Sequence, residues 1–321
     1  MILHISHTDL DGIGCQTCVI ETFPDEEVSL RNISYIHIEP TLNILSSIAG
    51  KYSKVFITDL MFKNEKYLIT LQEISNKYPN VEFYFFDHHN YDFNIKKYQT
   101  KNLIILHTNK MSASKITFLA CKKKWNLENS KLERFIEHIS AYDIFDRDSI
   151  FFEKGFKLFR LTTCEKYRFQ NIVKLIDDMI ASDYLLFSEE HEEMIKNKIE
   201  ENKRTLEKYK NSGGIIFEKN CVAAFSTNEY IIDLIREEYE KDYDIFINMT
   251  LFGRGSVRLS DSLNTKEFDV KSILEDICKR KESFKELDGH EKAFGILFDK
   301  NHESYKKDIV SIVQEFFKYL K

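Results

Sequence analysis

Short apolar runs separated by stretches of helical periodicity fill the first part of the chain. Runs at 2–6, 33–38, 54–59, 81–87 and 103–107 read as strands, and 12–22, 41–51 and 63–78 repeat apolar residues at helical spacing. This βαβ succession predicts a mainly parallel sheet with helices on both faces. Ser112 or Ser114 is placed to cap the helix after the fifth strand. From about 128 to 210 the strand signals fade. Leu132, Phe135, Ile136 and Ile139 recur at helical spacing, as do Ile172, Leu175, Ile176 and Ile180. The stretch 188–210 is highly charged and lacks Pro and Gly, so it reads as a solvated connecting helix, and Asn211-Ser212-Gly213-Gly214 breaks it. Strand-like runs follow at 215–217, 221–226, 244–251, 256–259 and 294–298, with helices expected at about 229–239, 269–280 and 303–320. These predict a smaller C-terminal α/β domain with a mixed sheet. The expected division is a catalytic domain at 1–185, a helical connector at 186–211 and a substrate domain at 212–321.

Composition narrows the class. Hydrophobic residues make up 43% of the 321 and charged residues 31%, which fits a folded chain of two domains. No apolar run approaches the roughly 18 residues that span a bilayer, and the chain opens on a strand without a secretory leader. The six cysteines show no framework spacing, so a reduced, cytoplasmic location without membrane partners is expected. A net charge of −6 argues against coating long nucleic acid but allows a short anionic substrate.

Candidate chemistry gathers where the strands end. The first runs into His7-x-Asp9-x-Asp11-Gly12-x-Gly14, the third into Thr58-Asp59, the fourth into Asp87-His88-His89. In a parallel sheet such ends lie along one edge, where ligands bind. Hard oxygen and imidazole donors converging there suit a two-metal phosphoester site. His7, Asp9 and Asp11 alternate and so share one side of an extended segment, while Gly12 and Gly14 let the chain turn into the next helix. The ordinary alternative is an Asp-rich cap, and for Asp59 alone it is a helix N-cap. Two adjacent histidines at a strand end are seldom needed for packing. Asp143 follows a predicted helix, with Asp146 as a nearby competitor. Cys15 and Cys18 lack a second pair at zinc spacing and sit where a helix should pack, so they read as small hydrophobes. Farther on, Gly253-Arg254-Gly255-Ser256-Val257-Arg258-Leu259-Ser260 reads as a turn able to cradle a phosphate or as a plain hairpin. Asp288-Gly289-His290-Glu291-Lys292-Ala293-Phe294-Gly295 places a histidine just before a strand.

Together, and in this order, these motifs resemble the DHH phosphoesterase superfamily. His7-x-Asp9-x-Asp11-Gly12, Asp59, Asp87-His88-His89 and Asp143 match its four motifs. Gly255-Ser256-x-Arg258-x-Ser260 and Gly289-His290-x-x-Ala293-x-Gly295 look like its associated DHHA1 domain. The opening motif with Ile57-Thr58-Asp59-Leu60 is most similar to the nano-RNase B type of oligoribonuclease. The resemblance implies two Mn2+ ions, with Mg2+ or Co2+ as substitutes, held by His7, Asp9, Asp11, Asp59, His88 and Asp143. Asp59 and Asp143 would bridge. Catalytic roles fall to Asp59, to Asp87 as the orienter of a histidine, and to His89, which would contact the scissile phosphate or assist the leaving group. Gly255, Ser256, Arg258, Gly289 and His290 would bind substrate. Phe294 stands where the family has a small residue, and it either stacks on a base or packs in the core.

The expected activity is hydrolysis of short RNA to nucleoside monophosphates. Alternatives are a cyclic or linear dinucleotide phosphodiesterase, a phosphoadenosine-phosphate phosphatase, a RecJ-like single-strand exonuclease and, less well matched, a manganese pyrophosphatase. A non-catalytic interaction module would be marked by lost ligands, and here every matching position is filled. The implied partner is a short RNA or dinucleotide; a homodimer is compatible with this reading.

Overall fold

The computed structural model describes residues 1–321 except 168–170, 185, 186, 228–230, 261, 291 and 321, with the backbone alone at 288–290. The chain folds into two compact units, Met1–Lys198 and Ile199–Lys321. In the first, strands β1 (Ile2–Ser6), β2 (Val28–Asn32), β3 (Lys54–Thr58), β4 (Glu82–Asp87) and β5 (Leu103–His107) form a parallel sheet in the order β2-β1-β3-β4-β5. Alternate residues serve opposite faces. Leu3, Ile5, Val55, Ile57, Phe83 and Phe85 pack under helices α2 (Ile38–Ile48) and α3 (Glu65–Lys77). Ile2, Phe56, Tyr84 and Phe86 pack on the other face, with Val19 of α1 (Leu10–Thr22) and Ile116 of α4 (Ala113–Trp125). Burial on both faces explains why these strands read as unbroken apolar runs. Helices α5 (Ser130–Asp143), α6 (Phe152–Thr163) and α7 (Val173–Ala181) follow, and α8 (Glu189–Asn211) carries the passage between the units.

The expected strand at 33–38 does not form. Tyr35–His37 is a 3-10 turn leading into α2, and the sheet is completed by β2. β2 has only β1 as a neighbour and is part-exposed, so it needs little apolar character; Ile33 and Tyr35 are apolar because they pack on the core as the chain leaves the sheet. Ser112 caps α4 by accepting from the Lys115 N–H at 3.3 Å. All six cysteines are buried free thiols.

In the second unit β6 (Ile215–Glu218), β7 (Cys221–Ser226), β8 (Ile245–Thr250), β9 (Arg254–Leu259), β10 (Phe284–His290) and β11 (Ala293–Phe298) form a mixed sheet in the order β10-β11-β9-β8-β7-β6. Only β7 and β8 pair in parallel; the other pairs are antiparallel. Helices α10 (Val270–Cys278) and α11 (Tyr305–Phe317) share a core with Val257, Leu259 and Ile296. Helix α9 (Ile231–Tyr239) packs with Val222, Ala224 and Phe246. No helix among the described residues is long and apolar enough to cross a membrane.

Candidate metal centre

The strand order 2-1-3-4-5 reverses direction at β1, which leaves a crevice beyond the carboxyl ends of β1 and β3, the place where ligands bind in sheets of this order. The sequence loads that crevice. Beyond β1, Asp9 caps α1 by accepting from the Gly12 N–H at 3.0 Å through Oδ1, while its Oδ2 lies 2.5 Å from His7 Nδ1. The capping and the ligand readings of Asp9 thus hold together. Gly12 and Gly14 lie within α1 rather than in a turn, and what they provide is space: a Cβ at Gly12 would sit 2.4 Å from the His7 carbonyl oxygen, and one at Gly14 2.7 Å from Ser114 Cβ.

Asp11 points across to α4. Its Oδ2 accepts from the Ala113 N–H at 2.8 Å and its Oδ1 from the Ser114 N–H at 3.0 Å, where the helix dipole favours a carboxylate. Beyond β3, Asp59 is buried and takes a left-handed backbone, φ 54°, while its N–H still pairs with the Phe86 carbonyl. A non-glycine residue held there fits a position under functional constraint. Asp143 is the last residue of α5; Asp146 is exposed, and its N–H closes the helix end on the Ala141 carbonyl.

These segments meet at His88. Its Nε2 lies 3.5 Å from Asp59 Oδ1, 3.6 Å from Asp143 Oδ2 and 3.9 Å from Asp11 Oδ2. Three trios have ligand atoms all within 4.8 Å of one another: His7, Asp9 and Asp59; Asp11, His88 and Asp143; and Asp59, His88 and His89. All six expected ligands are therefore together, with His89 beside them. Asp59 Oδ2 and Asp143 Oδ2 are buried without a hydrogen-bond partner. Burial, then repulsion from Asp9, Asp11 and Asp143, pushes the Asp59 carboxyl well above the carboxylate range. Burial, then Asp11, Asp9 and Asp87, does the same to Asp143. Burial opposes the charge on Asp9 too, but His7 and the Gly12 N–H outweigh it and hold Asp9 below its ordinary value. Buried carboxylates this close are neutralised either by holding protons or by cations between them. Oxygen and imidazole donors with two orphaned carboxylate oxygens fit divalent metal. Cys15 is no competitor, because burial and then Asp11 and Asp59 keep its thiol protonated.

A second layer orients the donors. Asp87 Oδ1 lies 2.9 Å from His89 Nδ1, and Asp87 Oδ2 accepts from the Tyr91 hydroxyl at 2.5 Å. The Tyr91 hydroxyl in turn accepts from the Phe62 N–H at 3.2 Å. His107 Nε2 lies 2.6 Å from the His89 carbonyl oxygen, and the Asn32 side-chain amide donates to the His7 carbonyl at 2.9 Å. Asn32 and His107 end β2 and β5, so the strand-end rule that singled out Asp59 and His88 applies to them as well. Tyr35, which stacks on His7 and reaches His89, carried no such signal.

The substrate candidates of the second unit sit in strands, not in a turn. The register sets Arg258 opposite Ala293 and Ala293 opposite His290, so both signature segments fall in neighbouring strands. Arg258 donates to the Val257 carbonyl at 3.0 Å, and its Nε lies 3.8 Å from Asp233. Ser256 is part-buried, and a Cβ at Gly255 would meet Met249 Sδ at 2.8 Å, so this glycine serves packing. Gly289 lies in β10 opposite Phe294, and the side chain of His290 lies outside the described residues. Phe294 is 2% exposed in the core beside Val257, and base stacking by Phe294 is ruled out.

Fold and site together define an α/β protein of two units whose parallel sheet carries, at its switch point, a cluster of carboxylates and histidines that could hold metal ions. No family model and no curated protein matches the chain. Solved structures do. The DHH domain of a member of the s1p family of ribosomal proteins matches with TM-score 0.66 at 16% identity, over 99% of this chain and 86% of that one. RecJ from Thermus thermophilus in complex with Mn2+ matches with TM-score 0.64 at 13% identity, over 100% of this chain and 52% of that one. The pGpG-specific phosphodiesterase PggH from Vibrio cholerae matches with TM-score 0.52 at 14% identity, over 98% of this chain and 99% of that one. At these identities the likeness is one of fold: this chain has the fold of DHH-domain proteins.

Proposed function

We propose that this chain is a metal-dependent phosphodiesterase, of the nano-RNase B type, that hydrolyses short RNA to nucleoside monophosphates. The observation that carries the reading is the meeting of His7, Asp9, Asp11, Asp59, His88 and Asp143, from four separate segments, around buried carboxylate oxygens that lack partners. His7, Asp9 and Asp59 would hold one Mn2+, and Asp11, His88 and Asp143 the other. Bound there, the two ions would polarise the scissile phosphate and make a water nucleophilic at neutral pH. Asp87 keeps the proton on His89 Nδ1, which directs Nε2 to the phosphate or the leaving oxygen. In the second unit Arg258, Ser256, Gly289 and His290 are the candidates for binding nucleotide.

The test is product analysis. The purified chain is stripped with chelator, supplied with Mn2+, Mg2+ or Co2+, and given end-labelled RNA and DNA from dinucleotides upward together with cyclic dinucleotides. Manganese-dependent release of monophosphates, falling steeply as the RNA lengthens, is expected. Full turnover in metal-free protein would overturn the mechanism, and rates rising with length would favour a RecJ-like exonuclease. The fold shared with a pGpG-specific enzyme makes the linear dinucleotide pGpG the first substrate to try.

A further inference from the structure

Tyr35 belongs to none of the motifs, yet it touches both kinds of histidine in the centre. Its ring stacks on the His7 imidazole with centroids 4.5 Å apart and planes 22° from parallel. Its hydroxyl lies 3.1 Å from His89 Nε2, and its ring meets His89 edge-on at 5.9 Å. His89 Nδ1 is already committed to Asp87, at 2.9 Å. An ionised Asp87 only accepts, so the Nδ1 proton stays on His89 and Nε2 is the nitrogen left for chemistry. That nitrogen is engaged by the Tyr35 hydroxyl, while a ring nitrogen of His89 also lies within 4.8 Å of ligand atoms of Asp59 and His88, close enough to be drawn to a metal.

We propose that Tyr35 is a positioning residue that sorts the histidines, its ring fixing His7 as a metal ligand and its hydroxyl holding His89 Nε2 out of the metal shell. The inference rests on the metal-dependent reading above. It assigns separate duties to the two parts of one side chain. The ring, stacked against His7, sets the plane from which that imidazole can reach a metal. The hydroxyl holds His89 Nε2 until a substrate phosphate takes its place.

Full-length Tyr35→Phe and Tyr35→Leu separate the two duties. Mn2+ affinity is read by calorimetry, the histidine ring nitrogens by 15N NMR with His89→Asn to assign the His89 signals, and turnover with short RNA. Tyr35→Phe keeps the ring, so it should bind Mn2+ as tightly as the wild type or more tightly, shift the His89 nitrogens, and lower kcat by about tenfold or more with KM little changed. Tyr35→Leu should also weaken Mn2+ binding by about tenfold. Wild-type kcat in Tyr35→Phe, or unshifted His89 nitrogens, would overturn the role of the hydroxyl. Undiminished Mn2+ affinity in Tyr35→Leu would overturn that of the ring. Should the wild-type chain bind Mn2+ but cleave no phosphodiester, the phosphodiesterase reading fails, and the calorimetry and NMR still decide the roles of Tyr35.

Discussion

Asp11 Oδ1 accepts a hydrogen bond from the backbone N–H of Ser114, 103 residues farther along the chain, at 3.0 Å. A candidate metal ligand is thereby the clasp between α1 and α4. The contact depends on the close crossing of the two helices, because a Cβ at Gly14 would lie 2.7 Å from Ser114 Cβ. Gly14→Ala must push the helices apart, at a cost of about 1–3 kcal/mol for an overpacked site. It should also weaken Mn2+ binding, since Asp11 moves with α1. Urea unfolding with and without Mn2+ checks both; a variant with unchanged affinity would show that Asp11 is only a clasp.

Asp59→Asn separates charge from conformation. Asparagine tolerates the left-handed backbone, φ 54°, that this position requires. The variant should therefore fold, and without metal it should be at least as stable as the wild type, because a buried carboxylate crowded by others has been removed. Its Mn2+ content should drop and turnover should fall by more than about a hundredfold, beyond the usual cost of an outer-layer change. Metal analysis and thermal unfolding test this. Full metal content with full activity would reduce Asp59 to a structural turn.

The second unit separates a core residue, Phe294, from a proposed binding residue, Arg258. Phe294 is 2% exposed, so Phe294→Ala should cost about 3–5 kcal/mol of stability. Arg258 is part-exposed, with Asp233 3.8 Å away, and Arg258→Ala should change stability by no more than about 1 kcal/mol. Arg258→Ala should raise KM for short RNA while leaving Mn2+ content and hydrolysis of a nitrophenyl phosphodiester nearly intact. Equal losses on both substrates would mean that Arg258 supports the fold.

His4 gives the chain an acid limit that is independent of metal. It is fully buried in β1, with Nε2 2.8 Å from Thr58 Oγ1, and burial lowers its pKa from 6.5 to about 3. The unfolded chain binds this proton from pH 6.5 downward and the folded chain does not, so the stability is fully present above pH 6.5 and is lost progressively toward pH 3. The slope from one such group is at most about 1.4 kcal/mol per pH unit. His4→Gln, which can still bond Thr58, should flatten the slope. Urea midpoints across that window, measured on metal-free protein, test it; parallel slopes for variant and wild type would exclude His4 as the source.

The local sequence was enough to mark the sheet and its chemistry. A strand buried on both faces must be apolar throughout, and chemistry beyond it must sit in the residues that end it, so β1, β3, β4, Asp59 and His88 could all be read in place. At the sheet edges the signal was uneven: β5 and β6, each with one neighbour, were still legible as apolar runs, but β2 and β10 were not. β2 and β10 each pair with a single neighbour and need less apolar surface, so 33–38 looked more strand-like than Val28–Asn32, and β10 gave no signal. Only the tertiary structure decided the rest. Whether Phe294 faces a base or a core depends on β-register against Val257, a non-local pairing. Tyr35 and Tyr91 act through residues 54 and four positions away, His89 and Asp87, and the helix clasp of Asp11 spans more than a hundred residues. Periodicity reports which face of its own element a residue occupies. What meets that face is set by how distant elements pack, and only the folded chain supplies that.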